Sequence, residues 1–343
     1  MMTDTQTLDA GVVADYLCNK IEGFSGPIEV EKFQVGQSNP TFLLKTAAKN
    51  YVLRRKPPGV LLKSAHAVDR EFRVQSALAG TDVPVAKMYH LCEDDDVIGS
   101  MFYVMDHVNG RNQTMPTMPD EDNVMRTGVI GEMNRVLAAL HDVNIDAVGL
   151  SDYGPLGNYF ERQIGRWSKQ YRASETDDVP AMNALMSMLG EQMPADDGQR
   201  TLVHGDYRID NMMFSKNGPE CLAVLDWELS TTGHPYADLA AVIMQWKMPS
   251  TTEGRGLQGV DRAALGLPTD GQFIGAYCKR RGIGEIDNFG FYLAFNFFRM
   301  AAIIQGVLKR ALDGNASNPE RGKQMGQYVP VFAKAGLDAL QKG

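Results

Sequence analysis

The sequence predicts an α+β chain folded as two lobes, strand-rich first and mainly helical afterwards. Three observations carry this. Up to residue 109, short β-branched and aromatic runs alternate with turn residues. Beyond Gly110, apolar residues recur at helical spacing. Between them in character, residues 202–228 read as a polar loop followed by a compact β-hairpin. The expected division is therefore 1–109 and 110–343, and a chain of 343 residues can bury a substantial core across two lobes.

The elements follow in order. Ile28 to Gln34 and Thr41 to Lys45 read as strands joined by the turn-rich Val35-Gly36-Gln37-Ser38-Asn39-Pro40. Tyr51 to Arg54 makes a third strand, stopped by Pro57-Pro58-Gly59. Ser64 is placed to cap a helix carrying Val68, Phe72 and Leu78, with Gly80 near its end. Val85 to Leu91 and Val97 to Val108 read as a strand pair around Glu93-Asp94-Asp95-Asp96, an acidic run best read as a solvated turn. Val129, Met133, Val136, Leu137 and Leu140 mark one helix, and Tyr159 to about Arg172 another. In the latter, Tyr159, Trp167 and Tyr171 fall at core spacing. The last hundred residues are mostly helical.

Composition narrows the function classes. A net charge of −8 and a pI of about 5.3 argue against non-specific nucleic-acid binding. Cys18, Cys92, Cys221 and Cys278 form no C-x-x-C pair, so reduced thiols in a cytoplasmic protein are expected. Met1 to Gln6 has neither a basic nor an apolar leader pattern. Phe289 to Leu308 is apolar enough to resemble a membrane span. Asn296, Arg299 and Gln305 interrupt it, which favours a buried helix and no membrane partner.

The chemistry concentrates in Leu202-Val203-His204-Gly205-Asp206-Tyr207-Arg208-Ile209-Asp210-Asn211, followed by Leu222-Ala223-Val224-Leu225-Asp226. Folding Met212-Met213-Phe214 against Cys221 to Leu225 about Asn217-Gly218 brings Asn211 and Asp226 together at the open end of the hairpin. An amide oxygen beside a carboxylate suits Mg2+, with phosphate oxygens and water as further ligands. Asp206, on the loop before the hairpin, is placed to orient an attacking hydroxyl and take its proton. His204 reads as a backbone-bonded structural residue. Arg208 reads either as a phosphate or substrate contact or as the partner of an acid. The combination is the equipment of phosphoryl transfer.

With these stretches the chain resembles the aminoglycoside phosphotransferase family, the small-molecule branch of the protein-kinase-like fold. Within it, the resemblance is to the phosphotransferase domain found ahead of an acyl-CoA dehydrogenase domain. It rests on HGDYRIDNMMF, VLDWELSTTGHPYADLA, YVLRRKPPG, GQSNPTFLL, YGPLGNYFERQIGRWSKQY and FNFFRMAAIIQGVLKRA, over about residues 30 to 315. The resemblance implies a bilobal kinase-like fold, with Asp206 as catalytic acid, Asn211 and Asp226 as Mg2+ ligands and Asp238 supporting the catalytic loop. It also implies a link to an acyl-CoA dehydrogenase.

The upstream lobe departs from the kinase pattern. Arg54 stands where a lysine contacts phosphates and pairs with a helix glutamate, for which Glu71 is the candidate. Glu71 reads equally as a solvated partner of a neighbouring arginine. Of G-x-G-x-x-G only Gly36 is present. Backbone N–H groups there, with Ser38 and Asn39, cradle phosphate on one reading and form an ordinary hairpin turn on the other. Met105-Asp106-His107-Val108 lies where a hinge would present backbone at Asp106 and Val108 to a purine, so ATP and GTP both fit.

The expected function is Mg-ATP-dependent phosphorylation of a hydroxyl on a small molecule. From Asp270 to Gly343, ten Lys and Arg face six Asp and Glu, with local clusters at Lys279-Arg280-Arg281 and Lys309-Arg310. That balance suits an anionic acceptor such as a hydroxyacyl-CoA better than a cationic aminoglycoside. A non-catalytic nucleotide-binding pseudokinase is the alternative of another class; loss of Asp206, Asn211 or Asp226 would mark it, and all three are present. A Rossmann dehydrogenase lacks its G-x-G-x-x-G between a strand and a helix.

Overall fold

The structure, a computed structural model, describes residues 8–33, 39–57, 67–316 and 318–342. It opens with a helix, α1 (Ala10–Cys18), whose first N–H groups at Gly11 and Val12 donate to the Asp9 carboxylate. No helix was expected here. Only Val13, Ala14 and Leu17 are buried, too short a stripe to show a period against the β-branched Val12-Val13 pair.

A five-stranded antiparallel sheet follows, with β1 (Glu29–Lys32), β2 (Thr41–Lys45) and β3 (Asn50–Arg55) in sequence. The helix α2 (Val68–Leu78) then precedes β4 (Met88–Cys92) and β5 (Phe102–Asp106), giving the order β1-β2-β3-β5-β4. Alternation decides which side chains turn inward: Phe42 and Leu44, Leu53, and Phe102 and Val104 pack with Val13 and Leu17 into one core. The β4–β5 connection is longer than expected. Residues 93–101 are turns, closed by Gly99 donating its N–H to the Asp95 carbonyl at 2.7 Å. The acid run there is exposed, and the Asp94 carboxylate accepts from the Asp96 N–H. Ser64, the expected cap of α2, lies outside the described residues.

The remainder runs β6 (Arg111–Asn112), α3 (Asn123–Asp142), α4 (Tyr159–Ser174) and α5 (Pro180–Glu191), then β7 (Thr201–Val203). The hairpin β8 (Met212–Phe214) and β9 (Cys221–Val224) leads through a 3-10 turn to β10 (Thr231–Gly233), which pairs back on β7. Helices α6 (Tyr236–Trp246), α7 (Asp270–Arg281), α8 (Phe289–Leu312), α9 (Pro319–Gly326) and α10 (Val329–Gln341) complete the chain.

α8 runs through the middle of this bundle, against α4, α6, α9 and α10. Among the described residues it is the one helix long and apolar enough to cross a membrane, and 72% of its most apolar window is buried in the bundle. Its polar interruptions all find backbone partners, Asn296 and Gln305 inside the bundle and Arg299 at its edge. Asn296 donates to the Ala237 carbonyl at 3.1 Å, Gln305 to the Ser174 carbonyl at 2.7 Å, and Arg299 to the Gly205 carbonyl at 2.9 Å. Each bond satisfies a group that burial would otherwise penalise.

Candidate active site

The loop at His204-Gly205-Asp206 leaves β7 and is gripped from several sides. Asp238, in the first turn of α6, accepts the N–H of His204 at 2.6 Å and of Gly205 at 2.9 Å. Burial pushes the Asp238 carboxyl up, but the neighbouring His141 and the His204 N–H outweigh it and hold it below the ordinary carboxylate range. Gly205 has φ +82, and a Cβ there would stand 2.6 Å from the Leu229 carbonyl oxygen, so only glycine fits. The Asp206 N–H donates to His204 Nδ1, which leaves His204 Nε2 to donate to the Leu225 carbonyl at 2.9 Å. His204 thus ties the loop to the hairpin, the structural part expected of it.

The hairpin register pairs Met212 with Val224, and the Leu225 N–H donates to the Asn211 carbonyl at 2.8 Å. Asn211 and Asp226 therefore flank its open end. The Asn211 amide donates to the Asp206 carbonyl at 2.9 Å and to Asp206 Oδ2 at 3.0 Å. With Nδ2 spent in this way, the Asn211 Oδ1 remains as an oxygen donor. Asp226 adopts left-handed backbone, φ 62 and ψ 61, a conformation costing a non-glycine residue about 1–2 kcal/mol. Such strain is found where surrounding structure holds a side chain to a task. Among the described residues no cluster of three or more His, Cys, Asp or Glu can hold a metal. A cation at Asn211 and Asp226 would complete its shell with ligand oxygens, as Mg2+ does with phosphates.

From the sheet, Arg54 reaches the same place. Its guanidinium donates to Asp226 Oδ1 at 2.8 Å, and Glu228 lies 3.7 Å away. Its Nε is 3.0 Å from Glu71 Oε2, without hydrogen-bond alignment. Glu71 is thus the partner of Arg54 and not a solvated helix residue; its side chain is 1% exposed. Glu71 also accepts from the Asn39 amide at 2.9 Å and the Tyr103 hydroxyl at 3.1 Å. Burial, with Asp226 and Glu228 nearby, pushes the Glu71 carboxyl up to about 7 although Arg54 and Tyr103 pull it down. Burial opposes the charge of Arg54, and Glu71, Asp226 and Glu228 more than restore it.

The remaining expected residues divide. Asn39 is buried and turns its amide inward onto Glu71. Gly36 and Ser38 lie outside the described residues. Asp106 ends β5 with its carboxylate on Lys49 at 3.0 Å and its N–H on the Lys87 carbonyl. The Val108 carbonyl accepts from Gly110. Arg208, whose role was open, pairs with Asp210, and Arg255 grips the same carboxylate. Nothing in the spacing pointed to Arg255, which arrives from a loop 45 residues away. The basic clusters noted in the sequence are largely spent: Arg281 pairs with Asp142 at 2.8 Å and Lys309 with Asp313 at 2.6 Å, and Arg280 bonds Asn134.

Comparison with known proteins follows this geometry. Residues 29–272 match the model of the phosphotransferase enzyme family, APH. A mouse protein named acyl-CoA dehydrogenase family member 10 is 44% identical over 319 residues, 93% of this chain and 30% of that protein. Human acyl-CoA dehydrogenase family member 11 is 41% identical over 344 residues, 99% of this chain and 43% of that protein. The chain thus spans less than half the length of these relatives. A crystal structure from Ralstonia eutropha, assigned as an aminoglycoside phosphotransferase, superposes with a TM-score of 0.91 at 46% identity, covering 98% of this chain and 99% of that one. The aminoglycoside phosphotransferase APH(4)-Ia, solved with ADP and hygromycin B, shares the fold alone: TM-score 0.61 at 16% identity, over 95% and 98% of the two chains. The bilobal, kinase-like α+β architecture is that of these neighbours, and on the match over residues 29–272 the chain belongs to the phosphotransferase enzyme family.

Proposed function

We propose that the protein transfers a phosphate from Mg-ATP to a hydroxyl of a small anionic metabolite, with a hydroxyacyl-CoA as the favoured class. The observation that carries this is the join of Asp206 to Asn211 at 3.0 Å, at the hairpin end that also bears Asp226. Asn211 fixes one oxygen of the Asp206 carboxylate and leaves Oδ1 to accept the acceptor's O–H. Asp206 then orients that hydroxyl and takes its proton late in transfer. Asn211 and Asp226 would hold magnesium, which when bound offsets the charge of the phosphates. Arg54 moves its fork from Asp226 toward phosphate oxygens while Glu71 keeps it in place. Gly36 and Ser38, outside the described residues, are expected from the sequence to add backbone N–H and a hydroxyl toward the phosphates, and backbone at Asp106 and Val108 would meet the purine of ATP or GTP.

The names of the relatives support an acyl-CoA acceptor, and with it a working link to an acyl-CoA dehydrogenase. A non-catalytic nucleotide sensor gains no support, because Asp206, Asn211 and Asp226 are all present and assembled. The test is Asp206→Asn, with nucleotide binding read by thermal shift and transfer read by product mass across hydroxylated CoA thioesters, sugars and aminoglycosides. Binding should persist while transfer falls by about 100-fold or more. Undiminished transfer by this variant would remove Asp206 from the mechanism.

A further inference from the structure

Four cations line one side of the helical region without a carboxylate partner. Arg162, Arg166 and Lys169 follow one another along α4 at helical spacing, and Arg299 faces them from α8, which packs on α4. Among the described residues, no ion pair neutralises any of the four. Arg162 is held in place by the carbonyls of Leu156 and Gly157, to which its guanidinium donates. Arg166 lies 5.4 Å and Arg299 5.8 Å from the Trp167 ring centre. Trp167 is held by its Nε1–H donating to Gln163 at 3.1 Å. Burial raises the Tyr159 phenol; Arg299 acts against that rise, Asp238 adds to it, and Arg162 and Arg166 again oppose it. Arg299 also donates to the carbonyl of Gly205, the residue before Asp206. The cationic face therefore adjoins the catalytic loop.

Resting on the phosphotransfer reading above, we infer that Arg162, Arg166, Lys169 and Arg299, with Trp167, seat a multiply charged phosphate-ester handle on the acceptor. Several guanidinium forks match several phosphate oxygens, where a single carboxylate would occupy one. Mutual repulsion among the four cations is relieved by a polyanion and worsened by a polycation, so the same face disfavours aminoglycosides. Trp167 adds an aromatic surface flanked by charge, suited to the apolar or planar part of such a handle.

Coenzyme A, with three phosphates, and pantetheine, with none, are the probes. Binding is measured by calorimetry and by tryptophan fluorescence on wild type, Arg166→Lys and Arg166→Glu. Arg166 is exposed and outside the catalytic loop, so these variants keep the fold. Coenzyme A should bind more tightly than pantetheine and more weakly as salt rises. Arg166→Glu should weaken it about tenfold or more, with Arg166→Lys between that variant and wild type because the charge is kept and the fork lost, and Mg-ATP affinity unchanged. The seat is overturned if coenzyme A does not bind, if pantetheine matches it, if Arg166→Glu binds it as wild type does, or if that variant loses Mg-ATP instead. Coenzyme A bound through Arg166 with no phosphate transfer to any hydroxyacyl thioester would keep the seat and sink the phosphotransfer reading. Transfer to a phosphate-free hydroxyl, with no preference for coenzyme A, would do the reverse.

Discussion

Arg54 meets three carboxylates, and the order of contact decides what its replacement does. It lies 3.0 Å from Glu71, donates to Asp226 at 2.8 Å and stands 3.7 Å from Glu228. Its planar fork spans Glu71 and Asp226 at once, while lysine offers one compact charge that serves one of them. Arg54→Lys is expected to fold and to bind nucleotide more weakly. Arg54→Met removes the guanidinium beside a side chain that is 1% exposed. Breaking a buried pair from one side costs about 3–5 kcal/mol. The lower end is expected here, because the Glu71 carboxyl, at about 7, takes up a proton readily. Urea denaturation of the two variants checks this; equal stability of Arg54→Met and wild type would show that the pair carries no such load.

At the scale of elements, α6 holds the catalytic loop through one side chain. Asp238 accepts two loop N–H groups, is itself 2% exposed, and sits 3.6 Å from His141 of α3. His141 in turn meets the Tyr277 hydroxyl of α7 at 2.7 Å. Three helices thus converge behind a loop too short to hold its own shape. Asp238→Ala leaves the buried His204 N–H and the part-buried Gly205 N–H without partners, at about 1–3 kcal/mol each. Expected outcomes are a loss of about 2–4 kcal/mol in chemical denaturation and a fall in transfer rate larger than the fall in nucleotide affinity. Retention of full stability would mean that water or a backbone shift replaces the carboxylate.

Over the whole molecule, α2 joins the two cores. Its Glu71 turns to the sheet, while Val74 and Leu78 belong to the larger helical core. Arg70, on the same helix, donates to the Tyr153 carbonyl at 2.7 Å and lies over its ring. The pH response is also a property of the whole. Burial holds His141 and His234 below the ordinary imidazole value of 6.5. The unfolded chain then takes up protons first, so the stability they contribute is present above 6.5 and is lost as pH falls below it. Glu71 has the opposite sign: raised to about 7, it relieves a cost as pH falls from there toward 4.5. The difference between variants separates the two. His141→Gln should show a smaller fall in Tm between pH 8 and pH 5.5 than wild type. An unchanged slope would show that a neutral, buried His141 does not govern the acid limb.

Local pattern in the chain was enough for the division into a strand-rich and a helical part, for α3, α4 and α8, and for the β8–β9 hairpin. In each case the period of apolar residues or a turn signal such as Asn217-Gly218 acts over a few residues. The nearness of Asn211 and Asp226 followed from that hairpin. Short elements with few buried positions, α1 and α5, carried no comparable signal. Tertiary structure alone decided the contacts across long separations. Glu71 became the partner of Arg54, Asn39 turned onto Glu71, and Arg255 met Asp210. It also decided that Arg281 of α7 meets Asp142 of α3 and that Arg299 of α8 meets the Gly205 carbonyl of the catalytic loop. The physical reason is common to all of these. A side chain's own neighbours set its backbone conformation, but its electrostatic partner is chosen by packing between elements, where distance and burial set the strength of every charge.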